Sequence, residues 1–452
     1  MQIQFLGATH TVTGSKYYLT AEHLQLLVDC GLFQGVKEIR LRNREDLTFN
    51  PAKISDIILT HAHLDHSGYI PLLVKNGFRG TIYCTEATRD LCSILLPDSG
   101  YLQEEEAYHA NKHGYSKHHP ALPLYTKEDA EKSLAYFKIV DFEKAYHLSD
   151  KTSFTFHYAG HILGAATLLF KHAETRILFS GDLGRPHDPI MKAPTPPVAS
   201  DYLVIESTYG DRIHDKINPL NQLDKIINQT FHRGGSVLIP AFAVGRAQSV
   251  LYYLHELLQR KKIPPIPIYL DSPMSIDATQ LFCEHNTEHR LSFEEAMSVC
   301  KIAKYIHTPE ESEQLLSQKQ PKIIISASGM LSGGRVLSHL AAMLGDDRNT
   351  IIFSGFQAEG SLGARLVKGL KTIKIRGDFL PVKCDIIQMH NLSAHVDSEE
   401  MLKWLACMPN TPKKVFIKHG EPQASQALAS LVKQRLHWNC VLPQYLQRFD
   451  LD

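Results

Sequence analysis

The segment His61-Ala-His63-Leu-Asp65-His66 is the feature of this chain that most constrains its fold. Three imidazoles and one carboxylate stand together directly after the apolar run ISDIILT, which predicts a strand. Neutral imidazole and carboxylate are the ligands that first-row metals take in proteins. A loop that leaves a strand can direct His61 and His63 at one metal ion. Asp65 and His66, further round the turn and entering a helix, can address a second ion.

Further potential ligands stand where other predicted strands end. Gly160-His161 follows TFHYA, Gly181-Asp182 follows ILFS, and His419-Gly420 follows KKVFIK. Open αβ sheets gather their sites at strand ends, so we expect these residues to meet the first segment. Asp182 suits a bridging position, because one carboxylate can hold two cations. The complete predicted ligand set is His61, His63, Asp65, His66, His161, Asp182 and His419.

Composition limits the class of protein. The 452 residues contain 48 basic and 48 acidic side chains, so a polyanion would have to bind in a local groove rather than to a general positive field. The N-terminus lacks the pattern of a signal peptide, and no apolar run is long enough to span a membrane. The eight cysteines contain no CxxC motif. We therefore expect a cytoplasmic protein with reduced thiols and no membrane contact.

The pattern of predicted strands and helices changes twice along the chain. Residues 1–208 are rich in short strands, residues 209–375 alternate strands with helices, and residues 376–452 return to the first pattern. Alternating strands and helices are typical of βαβ units around a parallel sheet. We predict one αβ domain, interrupted by a second at 209–375 and completed by 376–452.

Several motifs resemble those of a known superfamily. HAHLDHSG, AGHILGAA and FSGDLGR resemble the motifs of the metallo-β-lactamase fold, and IESTYGD, LSAHVD and KHGE resemble those of its β-CASP branch of nucleic-acid-processing nucleases. The motifs occur in the family's order over essentially the whole chain. The resemblance implies an α/β fold, an αββα metallo-β-lactamase sandwich with an inserted parallel-sheet β-CASP domain. The chain resembles compact bacterial relatives of ribonuclease J and of the polyadenylation-factor endonuclease subunit, and we expect it to lack their additional domains.

The resemblance also implies a role for each ligand. Two Zn²⁺ ions would be bound, with Mn²⁺ as the alternative, and a supporting aspartate on an early strand matches Asp29 in LLVDCG. One ion would be held by His61, His63 and His161, and the other by Asp65, His66 and His419, with Asp182 between them. Asp29 and Asp65 are thereby also candidate catalytic residues.

Two residues match positions specific to the branch. Glu206 in VIESTYG matches its acidic residue, and His395 in LSAHVD matches its histidine. A Glu hydrogen-bonded to an imidazole raises its basicity and fixes its orientation, which suits proton donation to a departing oxygen. Family members that act on RNA carry His at the position of His419, where DNA-repair members carry Val. The resemblance therefore implies a ribonuclease that binds single-stranded RNA.

The expected reaction is metal-assisted hydrolysis of a phosphodiester. Bound water would be acidified to a pKa of ~7 and would attack phosphorus in line. His395 would protonate the leaving O3′, so the product would carry a 5′-phosphate. Endonucleolytic and 5′-exonucleolytic cutting both remain open, as do the RNA target and the oligomeric state.

We expect the inserted domain to hold the substrate. Ser328-Gly329 follows a buried strand, and backbone N–H groups at such a position can cradle phosphates. Contact with phosphate and capping of a helix are both open as roles for Arg246, Arg335 and Arg365. KGLKTIKIRG is the densest basic segment, for which a merely solvated face is the other reading. The candidate phosphate-binding residues are Ser393, Ser328, Gly329, Arg246, Arg335 and Arg365.

Three other functions compete with a ribonuclease. A DNA nuclease of the same branch is the nearest, and only His419 argues against it. A small-ester or lactam hydrolase would not need the inserted domain or Glu206. A catalytically silent RNA-binding subunit is disfavoured because every ligand position is filled.

Overall fold

The structure is a computed structural model and describes residues 1–114, 118–355, 357–358 and 360–452. Its strands, in chain order, are β1 (Gln2–Phe5), β2 (Tyr17–Ala21), β3 (Leu24–Val28), β4 (Asp56–Ile58), β5 (Thr81–Cys84), β6 (Phe137–Ile139), β7 (Ala145–Ser149), β8 (Thr152–Tyr158), β9 (Ala166–His172), β10 (Thr175–Phe179), β11 (Tyr202–Ile205), β12 (Val237–Pro240), β13 (Ile268–Leu270), β14 (Lys304–Tyr305), β15 (Ile323–Ser326), β16 (Thr350–Phe353), β17 (Thr372–Ile375), β18 (Asp378–Pro381), β19 (Asp385–Gln388), β20 (Lys414–Ile417), β21 (Cys440–Val441) and β22 (Arg448–Asp450).

The α-helices are α1 (Lys37–Leu41), α2 (Leu64–Ser67), α3 (Ile70–Lys75), α4 (Glu86–His113), α5 (Lys127–Ser133), α6 (Pro219–His232), α7 (Arg246–Gln259), α8 (Pro273–Glu284), α9 (Phe293–Cys300), α10 (Pro309–Ser317), α11 (Val336–Met343), α12 (Leu362–Val367), α13 (Ser398–Ala406) and α14 (Pro422–Leu436). Several begin at a polar residue that accepts an N–H of the first turn, as Thr85 does for α4 and Asp397 for α13. Within the described ranges, no helix combines the length and apolar character that crossing a membrane requires.

The chain divides into two compact units. Unit 1 comprises Met1–Asp188, Lys192–Ile213 and His395–Asp452, and unit 2 comprises Pro189–Met191 and His214–Ala394. The sequence predicts a return to the first domain at residue 376, whereas the structure keeps the chain in unit 2 up to Ala394. The reason is β19, which pairs in parallel with β16 and extends the sheet of unit 2.

Unit 1 contains two seven-stranded sheets. The first has the order β22-β1-β2-β3-β4-β5-β6, and the second has the order β21-β20-β11-β10-β9-β8-β7. Strands β3 to β6 are parallel in the first sheet. Strands β10, β11, β20 and β21 are parallel in the second. Each sheet therefore has one edge at which several neighbouring strands end together.

The sheets of unit 1 enclose an aromatic-rich core. Along β3, Leu26 and Val28 face this core, while Leu27 is equally buried on the opposite face. On the outer face of the second sheet, Leu203 of β11 packs in one cluster with Leu405 of α13, and α4 contacts β6 of the first sheet. These layers confirm the predicted αββα sandwich. The core between the sheets includes Phe5, Tyr17, Phe154, Phe156, Phe170, Phe179 and Phe416.

Unit 2 is built on a six-stranded parallel sheet with the order β14-β13-β15-β12-β16-β19. Ile323 and Ile325 of β15 pack on one face, in a cluster that contains apolar residues of α7. Ile324 packs on the other face, together with α11 and with the antiparallel pair β17–β18. An apolar strand buried on both faces explains the continuous run IIIS. The inserted parallel sheet predicted from the sequence is confirmed.

Candidate metal centre

Two parallel strands of the first sheet deliver the histidine-rich segment to the site. Asp29 follows β3, and Thr60 and His61 follow the neighbouring strand β4. Asp29 is buried and has a φ of 57°, so the chain turns sharply at the strand end. Its Oδ1 accepts the backbone N–H of Thr60 at 2.8 Å, and its Oδ2 accepts the Thr60 hydroxyl at 3.0 Å. Asp29 thus anchors the loop that begins with His61.

Three parallel strands of the second sheet deliver the later residues. β10, β11 and β20 are neighbours, and each is followed by a buried polar residue, namely Asp182, Glu206 and His419. The turn before Asp182 uses Gly181, which has a φ of 55° and lies so close to Ala166 and Thr60 that a side chain would be crowded. The shared edge of parallel strands is therefore the physical reason that residues more than 200 positions apart meet.

One group of ligands surrounds Oδ2 of Asp182. His61 Nε2 lies 3.5 Å and His161 Nε2 lies 3.8 Å from this oxygen. His161 Nε2 also lies 3.2 Å from His63 Nδ1. One ligand atom from each of these four residues lies within 4.8 Å of the others. We refer to His61, His63, His161 and Asp182 as the first cluster.

A second group surrounds Oδ1 of the same aspartate. His66 Nε2 lies 3.2 Å from Oδ1 of Asp182 and 3.3 Å from His419 Nε2. His419 Nε2 lies 3.1 Å from Asp65 Oδ2. Asp65, His66, Asp182 and His419 form the second cluster. The structure thus brings together all seven residues expected as ligands, and the carboxylate of Asp182 belongs to both clusters.

Hydrogen bonds on the far side of the rings orient the ligand nitrogens. His66 Nδ1 lies 2.8 Å from Asp29 Oδ2, an acceptor, so Nδ1 carries a proton and Nε2 is the nitrogen left for a metal ion. His61 Nδ1 lies 3.2 Å from the Thr60 hydroxyl, which already donates to Asp29. His61 Nδ1 is therefore also the protonated nitrogen. Such bonds fix the ring and the tautomer that metal binding requires.

The charges of the site fit a divalent metal. Burial lowers the pKa of His66, but the carboxylates of Asp182, Asp29 and Asp65 raise it to about 10, so the site strongly favours positive charge. His61 Nε2 is buried and has no hydrogen-bond partner among the described residues. Buried imidazole and carboxylate groups that converge in this way match the ligand set of zinc.

Glu206 and His395 form a pair beside the clusters. His395 Nδ1 lies 3.0 Å and 3.1 Å from the two carboxylate oxygens of Glu206. The pair is held by the backbone, because Leu183 N–H donates to Glu206 Oε1 and Gly184 forms a β-bridge with His395. The rings of His395 and His161 lie 4.4 Å apart between centroids. Burial raises the pKa of Glu206, but His395 outweighs this and holds it below its usual range.

Sequence reasoning missed Thr208. Its hydroxyl donates to Glu206 Oε2 at 2.5 Å and lies 3.2 Å from His419 Nδ1. A hydroxyl that donates to a carboxylate accepts the Nδ1 proton of His419, so Nε2 of that ring faces the second cluster. Thr208 therefore joins the Glu206–His395 pair to a ligand of the second cluster. The sequence signal was the position of Thr208, a hydroxyl residue two places after Glu206 at the end of a strand. Thr60, which directly precedes His61, stands in a similar position.

The candidate phosphate-binding residues all lie in unit 2. Arg335 donates to Asp271 Oδ1 at 2.8 Å and to two backbone carbonyls. The hydroxyl of Ser328 forms a hydrogen bond with the hydroxyl of Ser332 at 2.9 Å. Phosphate binding stays a prediction for all six. Of the others, Arg246 is buried at the start of α7, Gly329 packs against Phe242, Arg365 is exposed on α12, and Ser393 is buried.

Family models match three successive parts of the chain. Residues 14–228 match the metallo-beta-lactamase superfamily, residues 247–366 match the Beta-Casp domain, and residues 380–443 match the Zn-dependent metallo-hydrolase RNA specificity domain. Over 443 residues the chain is 34% identical to Ribonuclease TTHA0252 from Thermus thermophilus, with 96% of each protein covered. The chain belongs to the β-CASP branch of the metallo-β-lactamase superfamily, a family of RNA-processing nucleases, and is a metal-dependent hydrolase.

Other similar proteins include a relative with a different name and a solved structure. The chain is 31% identical over 465 residues to Transcription termination factor FttA from Methanosarcina mazei, covering 96% of this chain and 69% of that protein. The crystal structure of a protein of unknown function from Enterococcus faecalis aligns with a TM-score of 0.55 at 12% identity, covering 100% of this chain and 99% of that one. The latter likeness shows the shared fold.

The shared carboxylate leads to a test of the two clusters. Because Asp182 belongs to both, we expect Asp182→Asn to lower the metal content of both clusters, measured by elemental analysis after dialysis against a chelator. His161→Ala should lose about half of the metal, because it touches only the first cluster. Wild-type metal content in Asp182→Asn, with the fold verified by circular dichroism, would contradict the shared role.

Proposed function

We propose that the chain hydrolyses phosphodiester bonds of single-stranded RNA with two metal ions and leaves 5′-phosphate products. Zinc is the proposed metal, with manganese as the alternative. The observation that carries this proposal is the geometry at Asp182, whose two oxygens face separate ligand clusters beside the Glu206–His395 pair. Two ions a few ångströms apart suit an in-line displacement at phosphorus.

Metal ions bound by the two clusters would supply an acidified water and positive charge for the scissile phosphate. The side chains of the protein orient the ligands and exclude water. Asp29 and Thr60 hold the rings of His66 and His61 in the orientation needed for binding. Deep burial of these residues keeps bulk water away and strengthens their electrostatic interactions.

His395 is placed to protonate the departing O3′. Glu206 holds Nδ1 of the ring, which leaves Nε2 on the opposite side as the donor. Burial lowers the pKa of His395, but the charge of Glu206 and the hydrogen bond to it raise that pKa above its usual range. The raised pKa favours the protonated ring, which is the form that can donate a proton. Its side chain is 19% exposed, so a substrate can reach it.

Two observations support RNA as the polymer. The match at residues 380–443 is to an RNA specificity domain, and the relative that is 34% identical over 96% of both chains is a ribonuclease. His419 stands where RNA-acting members of the family carry histidine. Transcription termination is a second candidate role, favoured by the likeness to FttA alone.

The proposal is tested with protein of known metal content on a 5′-labelled single-stranded RNA and on DNA of the same sequence. We expect RNA-selective cutting, abolished in Asp65→Ala because the second cluster loses a ligand, and retained in Asp150→Ala, an exposed aspartate in a turn. Product lengths separate endonucleolytic from exonucleolytic cutting. Equal cutting of both polymers would favour the DNA-nuclease alternative, and a protein with two metals that cuts neither would contradict the proposal.

The acid role of His395 predicts a dependence on the leaving group. His395→Ala should slow RNA cleavage by about 10²–10⁴-fold, the usual contribution of a general acid, at unchanged metal content. The same variant should hydrolyse bis(p-nitrophenyl) phosphate at close to the wild-type rate, because p-nitrophenolate departs without a proton. An equal loss on both substrates, or loss of metal, would show that His395 acts in another way.

A further inference from the structure

The strands β17 and β18 form a hairpin of unit 2 with one buried and one exposed face. We call it, together with its turn residues Arg376 and Gly377, the basic hairpin. Ile373 and Ile375 are 2% and 4% exposed and pack into the core beneath it. The strand register pairs Lys374 with Phe379. Because side chains alternate along a strand, these two residues stand on the opposite, exposed face.

The segment of chain that includes the basic hairpin carries a concentrated positive charge. Residues 365–383 contain six basic side chains, all exposed, and one acidic side chain, Asp378, in a chain whose formal net charge is zero. A local excess of this size attracts a polyanion even though the whole molecule does not. The six are Arg365, Lys368, Lys371, Lys374, Arg376 and Lys383.

An exposed aromatic ring distinguishes this face from an ordinary solvated one. Phe379 is 72% exposed, the largest fraction among the large apolar side chains of the described residues. Lys374 Nζ lies 5.5 Å from the centre of its ring. An aromatic ring flanked by cations is the pairing with which proteins bind single-stranded nucleic acid, because any base can stack on the ring while the cations contact phosphates.

The turn of the hairpin carries an arginine in an unfavourable conformation. Arg376 has a φ of 49° and Gly377 a φ of 103°, so both central residues of the two-residue turn are left-handed. Such turns favour Asn, Asp or Gly at the first position, because a Cβ is crowded there. Arginine at this position adds backbone strain and brings a charged group to the tip of the hairpin.

We propose that the basic hairpin is a binding surface of unit 2 for single-stranded RNA, separate from the metal ligands. Phe379 stacks on a base, and Arg376 and Lys374 contact the flanking phosphates. The contact is tolerant of sequence, because stacking and phosphate contacts do not read base edges. This inference rests on the proposed RNA substrate, and it adds residues of unit 2 that would bind it.

The test is a binding measurement by fluorescence anisotropy with a labelled oligouridylate. Metal-loaded protein with His395→Ala is the background, so that the RNA stays intact. We expect Arg376→Gly to lower affinity about threefold to tenfold and to reduce the slope of log K against log salt by about 0.7, as for one lost phosphate contact on a single strand. Phe379→Ala should lower affinity with an unchanged salt slope, and Phe379→Trp should retain it.

Lys261→Gly is the matched control. Lys261 is also an exposed cation of unit 2 with a φ of 52°, and it follows α7, which packs on the face of the sheet opposite the hairpin. We expect its affinity for RNA to be unchanged. Arg376→Gly relieves strain, so its melting temperature should equal or exceed that of the parent, which separates lost binding from unfolding.

Unchanged affinity in both Arg376→Gly and Phe379→Ala would overturn the proposal and would favour a protein partner for this face. An equal loss in Lys261→Gly would overturn it as well, because the effect would then be one of general charge. Failure of the wild-type protein to cut RNA would count against the proposed function, while the binding comparison would still decide the role of the hairpin.

Discussion

The position of the Asp182 carboxylate between two sets of ligands is the constraint that the two sheets of unit 1 have to satisfy. The two carboxylate oxygens face different sets of ligands, with His66 Nε2 3.2 Å from Oδ1 and His61 Nε2 3.5 Å from Oδ2. Such a position requires that parts of both sheets end at one place. The parallel pair β3–β4 and the three parallel strands β10, β11 and β20 satisfy this requirement, because neighbouring parallel strands end at the same edge of a sheet. The aromatic core between the sheets keeps these two edges together.

A layer of hydroxyl and carboxylate groups behind the ligands does the orienting. Thr60 and Asp29 fix the rings of His61 and His66, and Thr208 does the same for His419 while also bonding Glu206. Through Thr208, the residue pair proposed to donate a proton is joined to a ligand of the second cluster. The orientation of the acid and that of the metal ligand are thus set by one continuous network.

The convergence of the seven predicted ligands could be expected from the sequence, because the segments that carry them follow recognisable apolar strands. The support from Asp29 was expected from the resemblance, but the hydrogen bond between Thr208 and His419 was not, since these residues lie far apart in the chain. The bond from Arg335 to Asp271 in unit 2 was hidden for the same reason. The second boundary between the units lies after Ala394 rather than at residue 376 for a related reason. An apolar strand such as β19 suits either sheet, and only its pairing with β16 assigns it to unit 2. The strained turn at Arg376 likewise becomes visible only in the backbone geometry.

In the proposed reaction, water activated at the two clusters attacks phosphorus and O3′ departs. Cleavage of RNA in water enriched in ¹⁸O, followed by mass spectrometry of both product ends, tests this most directly. This reaction places one ¹⁸O atom in the 5′-phosphate of the downstream fragment and leaves an unlabelled 3′-hydroxyl on the upstream fragment. A 2′,3′-cyclic phosphate, or ¹⁸O in a 3′-phosphate, would contradict it, because the 2′-hydroxyl would then be the nucleophile or O5′ the leaving group.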